Sequence, residues 1–248
     1  KPTLKEREGV KHFGIDVITP DRPFSVSIFI DLYKEAKKFA EKEGAPLFIV
    51  GGTGFYLKSL LEGISDLPKL DEKSRDLISK LMKDQKSAYE ELLLLDREFA
   101  QKISSNDRYR VEKGLSIYYA SGLPPTQYFK KYPPKPVIES LEIYEIEIEK
   151  EVLNKKIEKR TEKMFEAGLV DEVAKLEYKY GRSHTPMKAI GIKEVLDYFD
   201  AKQSLTKTKE RVIISTRQLA KRQRTFNKTQ LPSHPLLAPE EIFKRVVK

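Results

Sequence analysis

Pro46-Leu47-Phe48-Ile49-Val50-Gly51-Gly52-Thr53-Gly54-Phe55-Tyr56-Leu57-Lys58-Ser59-Leu60-Leu61 is the stretch on which the fold turns. A short continuous apolar run meets a cluster of glycines and then a run with helical spacing, so it reads as strand, tight turn and helix. A strand without polar alternation is expected where helices cover both faces of a parallel sheet. The turn then falls at the carboxyl end of that strand, where open α/β sheets bind ligands. Glycines let the backbone come close to a ligand, and the first N–H groups of the following helix are unpaired donors suited to phosphate oxygens. Thr53 adds a hydroxyl that can bond a phosphate or a base. The competing explanation is a turn that needs glycine for geometry alone.

Upstream, residues 13–18 read as a short edge or buried strand. Ser25 is a plausible N-cap, followed by a helix whose buried face is Phe29, Leu32, Tyr33, Ala36 and Phe39 and which stops at Gly44. Downstream, residues 70–132 read as several helices without a strand pattern. Pro133, Pro134 and Pro136 mark a rigid connection, and residues 141–148 alternate nearly enough to be a strand. From Glu151 the chain is mostly helical, with Met164, Phe165, Val170, Val173, Ala174 and Leu176 as buried positions and breaks at Gly168, Gly181 and Gly191. The fold class is therefore α/β: a core of residues 1–69 and 140–248, with a parallel sheet flanked by helices, and a helical insertion of residues 70–139.

Composition narrows the function. The chain has 248 residues, 39% of them hydrophobic, enough for a large core. Its 47 Lys and Arg exceed 38 Asp and Glu, for a net charge of +9; an excess of that size favours a polyanionic partner, while a simply solvated Lys/Glu-rich surface explains the charge alone equally well. With no Cys there is no disulfide framework, thiol nucleophile or Cys-ligated zinc, and a cytosolic compartment fits. No apolar run approaches the roughly 18 residues that span a bilayer. His12, His184 and His234 stand far apart and give a metal site little support. The chain opens Lys1-Pro2-Thr3 and not with Met.

Three segments carry charge in a pattern. Arg108, Tyr109, Arg110 and Lys113 lie within two helical turns, and Arg110 and Lys113 share a face that can grip phosphates, although exposed salt bridges with Glu112 and its neighbours are the cheaper explanation. Lys188 and Lys193 flank Gly191 in a loop-to-helix entry. The strongest signal is residues 216–228. At about 100° per residue, Arg217, Lys221, Arg224 and Lys228 make a narrow cationic stripe, while Leu219 and Phe226 point the other way with Val212. No acid interrupts this run, so a phosphate backbone is favoured over a solvated face.

Taken in order, these segments resemble the tRNA dimethylallyltransferase (tRNA isopentenyltransferase) family. The matching residues are Lys1-Pro2-Thr3 with His12 and Asp16, Val50 to Tyr56, Asn106-Asp107 with Arg110, Glu166 to Val173, Ala189-Ile190-Gly191 with Lys193-Glu194, and Thr216 to Gln223. The resemblance implies a P-loop-like α/β core with a helical insertion that holds the anticodon stem-loop. It implies transfer of a dimethylallyl group from dimethylallyl diphosphate to N6 of the adenosine 3′ of the anticodon, with Mg²⁺; a monomer is expected, and the lack of an apolar span gives no membrane partner. By motif position, Thr53 contacts the target adenine and the diphosphate region, and Arg217 is the cation near the pyrophosphate. Arg75, Tyr109, Arg110 and Lys113 become tRNA contacts of the insertion. Lys188, Gly191 and Lys193, with Lys221, Arg222, Gln223, Arg224 and Lys228, become those of the core. The family's phosphate loop and its general-base Asp are expected upstream of Lys1. A truncated module that binds the anticodon loop without catalysis, and a P-loop kinase of small molecules, are the alternatives; the kinase leaves the cationic stripe unexplained.

Overall fold

The computed structural model describes residues 2–246. In chain order the helices are α1 Val26–Glu43, α2 Gly54–Glu62, α3 Glu72–Leu81, α4 Gln85–Leu95, α5 Arg97–Gln101, α6 Arg108–Ser121 and α7 Pro125–Lys131. The strand β1 Glu145–Ile146 follows, then α8 Lys150–Glu166, α9 Leu169–Tyr180, a 3-10 turn Thr185–Lys188, α10 Ile192–Phe199, α11 Leu205–Gln230, β2 Leu236–Leu237 and α12 Pro239–Val246. The chain divides into two compact units: residues up to 58 with those from 140 onward, and residues 59–139. No helix among the described residues is long and apolar enough to cross a membrane.

In the first unit, α1 begins where the Ser25 hydroxyl accepts the N–H of Ile28 and ends at Gly44, whose φ of 60° lets its N–H reach the carbonyls of Ala40 and Glu41. Both ends are where the sequence puts them. The buried face is rotated, however: Ile30, Ala36 and Ala40 are buried, whereas Phe39 is 38% exposed and packs edge-on against Phe13.

The strands differ more. Residues 46–50 form no strand; Phe48 is 54% and Val50 93% exposed. Residues 13–18 form none either, and of residues 141–148 only β1 pairs. An apolar run suits a buried strand, but a strand exists only where another edge completes its hydrogen bonds, and no described segment offers one to residues 46–50. Among the described residues the sheet is the parallel pair β1–β2, with Glu145 opposite Leu236 and Ile146 opposite Leu237. The His234 ring reinforces it, with Nδ1 2.7 Å from the Pro232 carbonyl and Nε2 3.2 Å from the Glu145 carboxylate. The unit is thus helix-rich with a small parallel sheet.

Helices α8 and α11 run antiparallel, with Ile157 and Thr161 of α8 and Thr208 and Val212 of α11 buried. Glu162 pairs with Lys209 at 2.6 Å, and Glu158 with Arg217. A second apolar cluster, Val173, Met187, Val195 and Leu196, joins α9, the 3-10 turn and α10. Ala174, expected inside, is exposed, because on α9 it lies one residue and hence about 100° from Val173.

The second unit is a helical bundle around Ile78, Met82, Ala88, Leu92, Ala100, Val111 and Leu115. Burying side chains such as Leu92 and Leu115 contributes roughly 1.5–3 kcal/mol each. Buried Asp96 caps α5 through the Phe99 N–H and accepts both the N–H and the hydroxyl of Thr126, which fastens α7 to the bundle. The stretch 59–69, which the sequence groups with the core, is bonded within this unit: Leu60 O accepts the N–H groups of Val137 and Ile138, and the Tyr128 hydroxyl donates to Asp66 O.

Candidate nucleic-acid interface

The glycine turn rests on α11. A Cβ on Gly52 would stand 2.1 Å from Nε2 of Gln223, and one on Gly54 would stand 2.7 Å from the Phe226 ring and 2.8 Å from Oδ1 of Asn227. A side chain at Gly54 collides with the Phe226 ring, and one at Gly52 fits only if the end of Gln223 swings aside, so the packing of α11 itself favours these glycines, as the geometric explanation of the turn requires. Thr53 lies between them, exposed, its carbonyl accepting the N–H of Tyr56 as α2 begins. Tyr56 stacks on Phe29 at 4.8 Å and meets Phe24 edge-on. The backbone on either side of Thr53 therefore lies against the carboxyl half of α11, with Thr53 itself exposed.

The stripe on α11 is two sets of cations and not one free ridge. Arg217 bonds Glu158 of α8, and its Nε is buried with no hydrogen-bond partner among the described residues. Arg224 donates from Nη2 to the Ile148 carbonyl at 2.9 Å, just ahead of α8. The planar guanidinium suits such fixed contacts. Lys221 and Lys228 of the stripe, and Arg222 about 100° away from Lys221, are exposed and carry no side-chain partner among the described residues, so they are cations available to a polyanion. On the other side Val212 is buried as expected and Phe226 lies against the turn, but Leu219 is 37% exposed.

The Lys188 to Lys193 entry is tied to α11 by a residue to which sequence reasoning gave no role. Glu194, buried, accepts the N–H of Gly191 at 2.8 Å and the Ser215 hydroxyl at 2.8 Å. Gly191, at φ 95°, turns the chain into α10, while Lys188 and Lys193 stay exposed. An acid three residues after the N-cap is the signal that marks Glu194.

In the helical unit, Asp107 caps α6 through the Arg110 N–H and also pairs with the Arg110 guanidinium. Tyr109 is 69% exposed with the Lys113 ammonium 5.6 Å from its ring centre, a cation–π contact that leaves the ring's other face open. Arg75 is exposed on α3 and reaches the Leu70 carbonyl at 3.4 Å.

Among the described residues no three His, Cys, Asp or Glu side chains come together as a metal site would require. What the core unit does assemble is an exposed hydroxyl in a glycine turn, beside a helix that exposes Lys221, Arg222 and Lys228. That is the surface of a protein that handles phosphate-bearing ligands or nucleic acid.

Comparison with known proteins is specific. Residues 1–230 match the family model described as IPP transferase. A tRNA dimethylallyltransferase of a Sulfurovum species is 49% identical over 231 residues, covering 93% of this chain and 77% of its own length. That of Nautilia profundicola is 49% identical over 252 residues, covering 100% of this chain and 84% of its own. The solved structure of a eukaryotic dimethylallyltransferase acting on tRNA superposes with a TM-score of 0.81 at 26% identity, covering 100% of this chain and 66% of that one. The chain belongs to the IPP transferase family, that of the tRNA dimethylallyltransferases.

Proposed function

We propose that this chain transfers the dimethylallyl group of dimethylallyl diphosphate to N6 of the adenosine 3′ of the anticodon in tRNA. The observation that carries the reading is the match to tRNA dimethylallyltransferases along nearly the whole chain, with the Thr53 turn seated on the cationic end of α11 inside the matched region. In the reaction the N6–C1 bond forms as the C1–O bond to diphosphate breaks, and N6 gives up a proton. An exocyclic amine is a weak nucleophile, so the base must leave its stack and be held against the allylic carbon.

Thr53 holds the adenine and the diphosphate region by its hydroxyl. Arg217 stabilises the departing diphosphate, a role supported by its buried Nε, which has no hydrogen-bond partner among the described residues. Lys188, Gly191, Lys193, Lys221, Arg222, Gln223, Arg224 and Lys228 contact the tRNA from the core unit, and Arg75, Tyr109, Arg110 and Lys113 from the helical unit of residues 59–139. Arg224 does so while bonded to Ile148 and therefore serves chiefly to fix the helix. A P-loop-like, nucleotide-type phosphate site, a monomeric state and a cytoplasmic location belong to the same proposal. Mg²⁺ fits as a companion of the diphosphate, held mainly by substrate oxygens in the manner usual for this ion, since the described residues build no acidic cage.

The test incubates the chain with labelled dimethylallyl diphosphate and an anticodon stem-loop bearing the target adenosine. Label on that adenosine supports the proposal. Binding without transfer establishes a non-catalytic module instead, and absence of binding removes the tRNA reading.

A further inference from the structure

Helix α8 carries six cations, Lys150, Lys155, Lys156, Lys159, Arg160 and Lys163, and four acids, Glu151, Glu158, Glu162 and Glu166. Two of the acids are engaged away from these cations: Glu158 pairs with Arg217 and Glu162 with Lys209, both on α11. At 100° per residue the buried side of α8 is defined by Ile157 and Thr161, and the opposite side by Lys155, Lys159 and Lys163, with Lys156 and Arg160 along one edge, Glu151 toward the other, and Glu166 on the same face at the carboxyl end of the helix. All five of these cations are exposed, and none has a salt bridge or side-chain hydrogen bond among the described residues. They extend over about 12 Å of helix.

This arrangement works against the helix. Lys155 with Lys159, Lys159 with Lys163, and Lys156 with Arg160 are like charges four residues apart, a spacing that destabilises a helix. Elsewhere on the chain the same spacing holds opposite charges, as in Lys37 with Glu41, Lys86 with Glu90 and Glu98 with Lys102. A linear array of phosphates relieves this repulsion, releasing counterions as it does so. The stripe does not belong to the Thr53 turn: it lies on the helix packed beside α11 and faces away from the buried contact between them.

We propose that the outer face of α8 is a second RNA-binding surface, which grips the phosphate backbone of the tRNA outside its anticodon arm. It rests on the reading of tRNA as the substrate and adds to it a site that the turn and α11 do not provide. The geometry suits backbone contact without base reading, because lysines on one face of a surface helix meet phosphates as point charges.

The experiment compares the chain with its K155Q/K159Q/K163Q variant, measuring binding of a full-length tRNA and of its isolated anticodon stem-loop across a salt series, together with the urea unfolding midpoint. The variant is expected to bind full-length tRNA about tenfold more weakly, with the slope of log affinity against log salt reduced by about 2–3. Stem-loop binding stays as it was, and the unfolding midpoint is unchanged or higher because repulsion has been removed. Unchanged affinity for full-length tRNA overturns the proposal, as does an equal loss for both RNAs, which would place the stripe in the anticodon site. If the unaltered chain binds neither RNA, the tRNA reading itself falls and this proposal with it.

Discussion

Glu194 accepts the hydroxyl of Ser215 at 2.8 Å from one carboxylate oxygen and the N–H of Gly191 at 2.8 Å on the other, so a single buried carboxylate joins the Lys188 to Lys193 turn to α11. Glu194→Ala leaves the buried Gly191 N–H without its acceptor, at a cost of about 1–3 kcal/mol. Ser215→Ala, which removes one hydrogen bond and leaves the other, is expected to cost about 1 kcal/mol. Urea denaturation of the two variants checks the order; equal midpoints would show that the carboxylate does not join the two elements.

The glycines of the turn are not equivalent. A methyl group on Gly52 meets the far end of the Gln223 side chain, which can swing aside, whereas one on Gly54 meets the Phe226 ring. Gly54→Ala is expected to destabilise by about 1–3 kcal/mol through overpacking, and Gly52→Ala by less, with Gln223→Ala relieving the latter. A double-mutant cycle on Gly52 and Gln223 measures the coupling.

Thr53 is exposed, and its hydroxyl has no hydrogen-bond partner among the described residues. Thr53→Ala should therefore stay within about 0.5 kcal/mol of the parent stability. Transfer is expected to fall far more than stem-loop binding, which separate rate and binding measurements resolve. A matching loss in both would make Thr53 a binding residue only.

Neutralising Lys221, Arg222 and Lys228 together should weaken stem-loop binding and lower its salt slope by about 2–3, since these cations of α11 have no side-chain partner among the described residues. Arg224→Gln, in contrast, removes the donor to the Ile148 carbonyl and should act mainly on stability, by about 0.5–1.5 kcal/mol. An Arg224 effect confined to the salt slope would contradict this division.

Acid should loosen the helical unit first at its caps. The Ser74 hydroxyl and N–H hold the Asp71 carboxyl below the ordinary aspartate value, the Ser87 hydroxyl and the Lys86 N–H do so for Asp84, and the Arg110 N–H and guanidinium for Asp107. A folded-state pKa below the unfolded one stabilises the fold fully above the unfolded value, about 3.9, and that contribution is lost as pH falls through the folded value. Helix content followed by circular dichroism should hold down to about pH 5 and decline below about pH 4. Asp84→Asn, which keeps a cap without titrating, should flatten part of that decline.

Local signals were legible and pairwise ones were not. Ser25 and Gly44 bound α1 because a cap is encoded within a few residues of itself, and the run from Thr216 to Lys228 is helical for the same reason. The strand expected at residues 46–50 failed because pairing depends on a second edge that no local pattern specifies. The stripe on α11 was found, yet the engagement of Arg217 by Glu158, 59 residues away, was not, since charge periodicity reveals which cations share a face and not which of them are already partnered. Glu194 could have been found from its spacing to Gly191, but its second partner, Ser215, lies on another helix.

The small sheet also bears on the order of folding. His234 and Glu145 meet across 89 residues of sequence, and closing a flexible loop of that length costs on the order of 4 kcal/mol beyond a constant. Four ladder residues cannot offset that in an unfolded chain. The pairing becomes favourable only once α8 and α11 have docked and brought the two ends near each other, so β1–β2 forms late and seals a helical assembly that is already built.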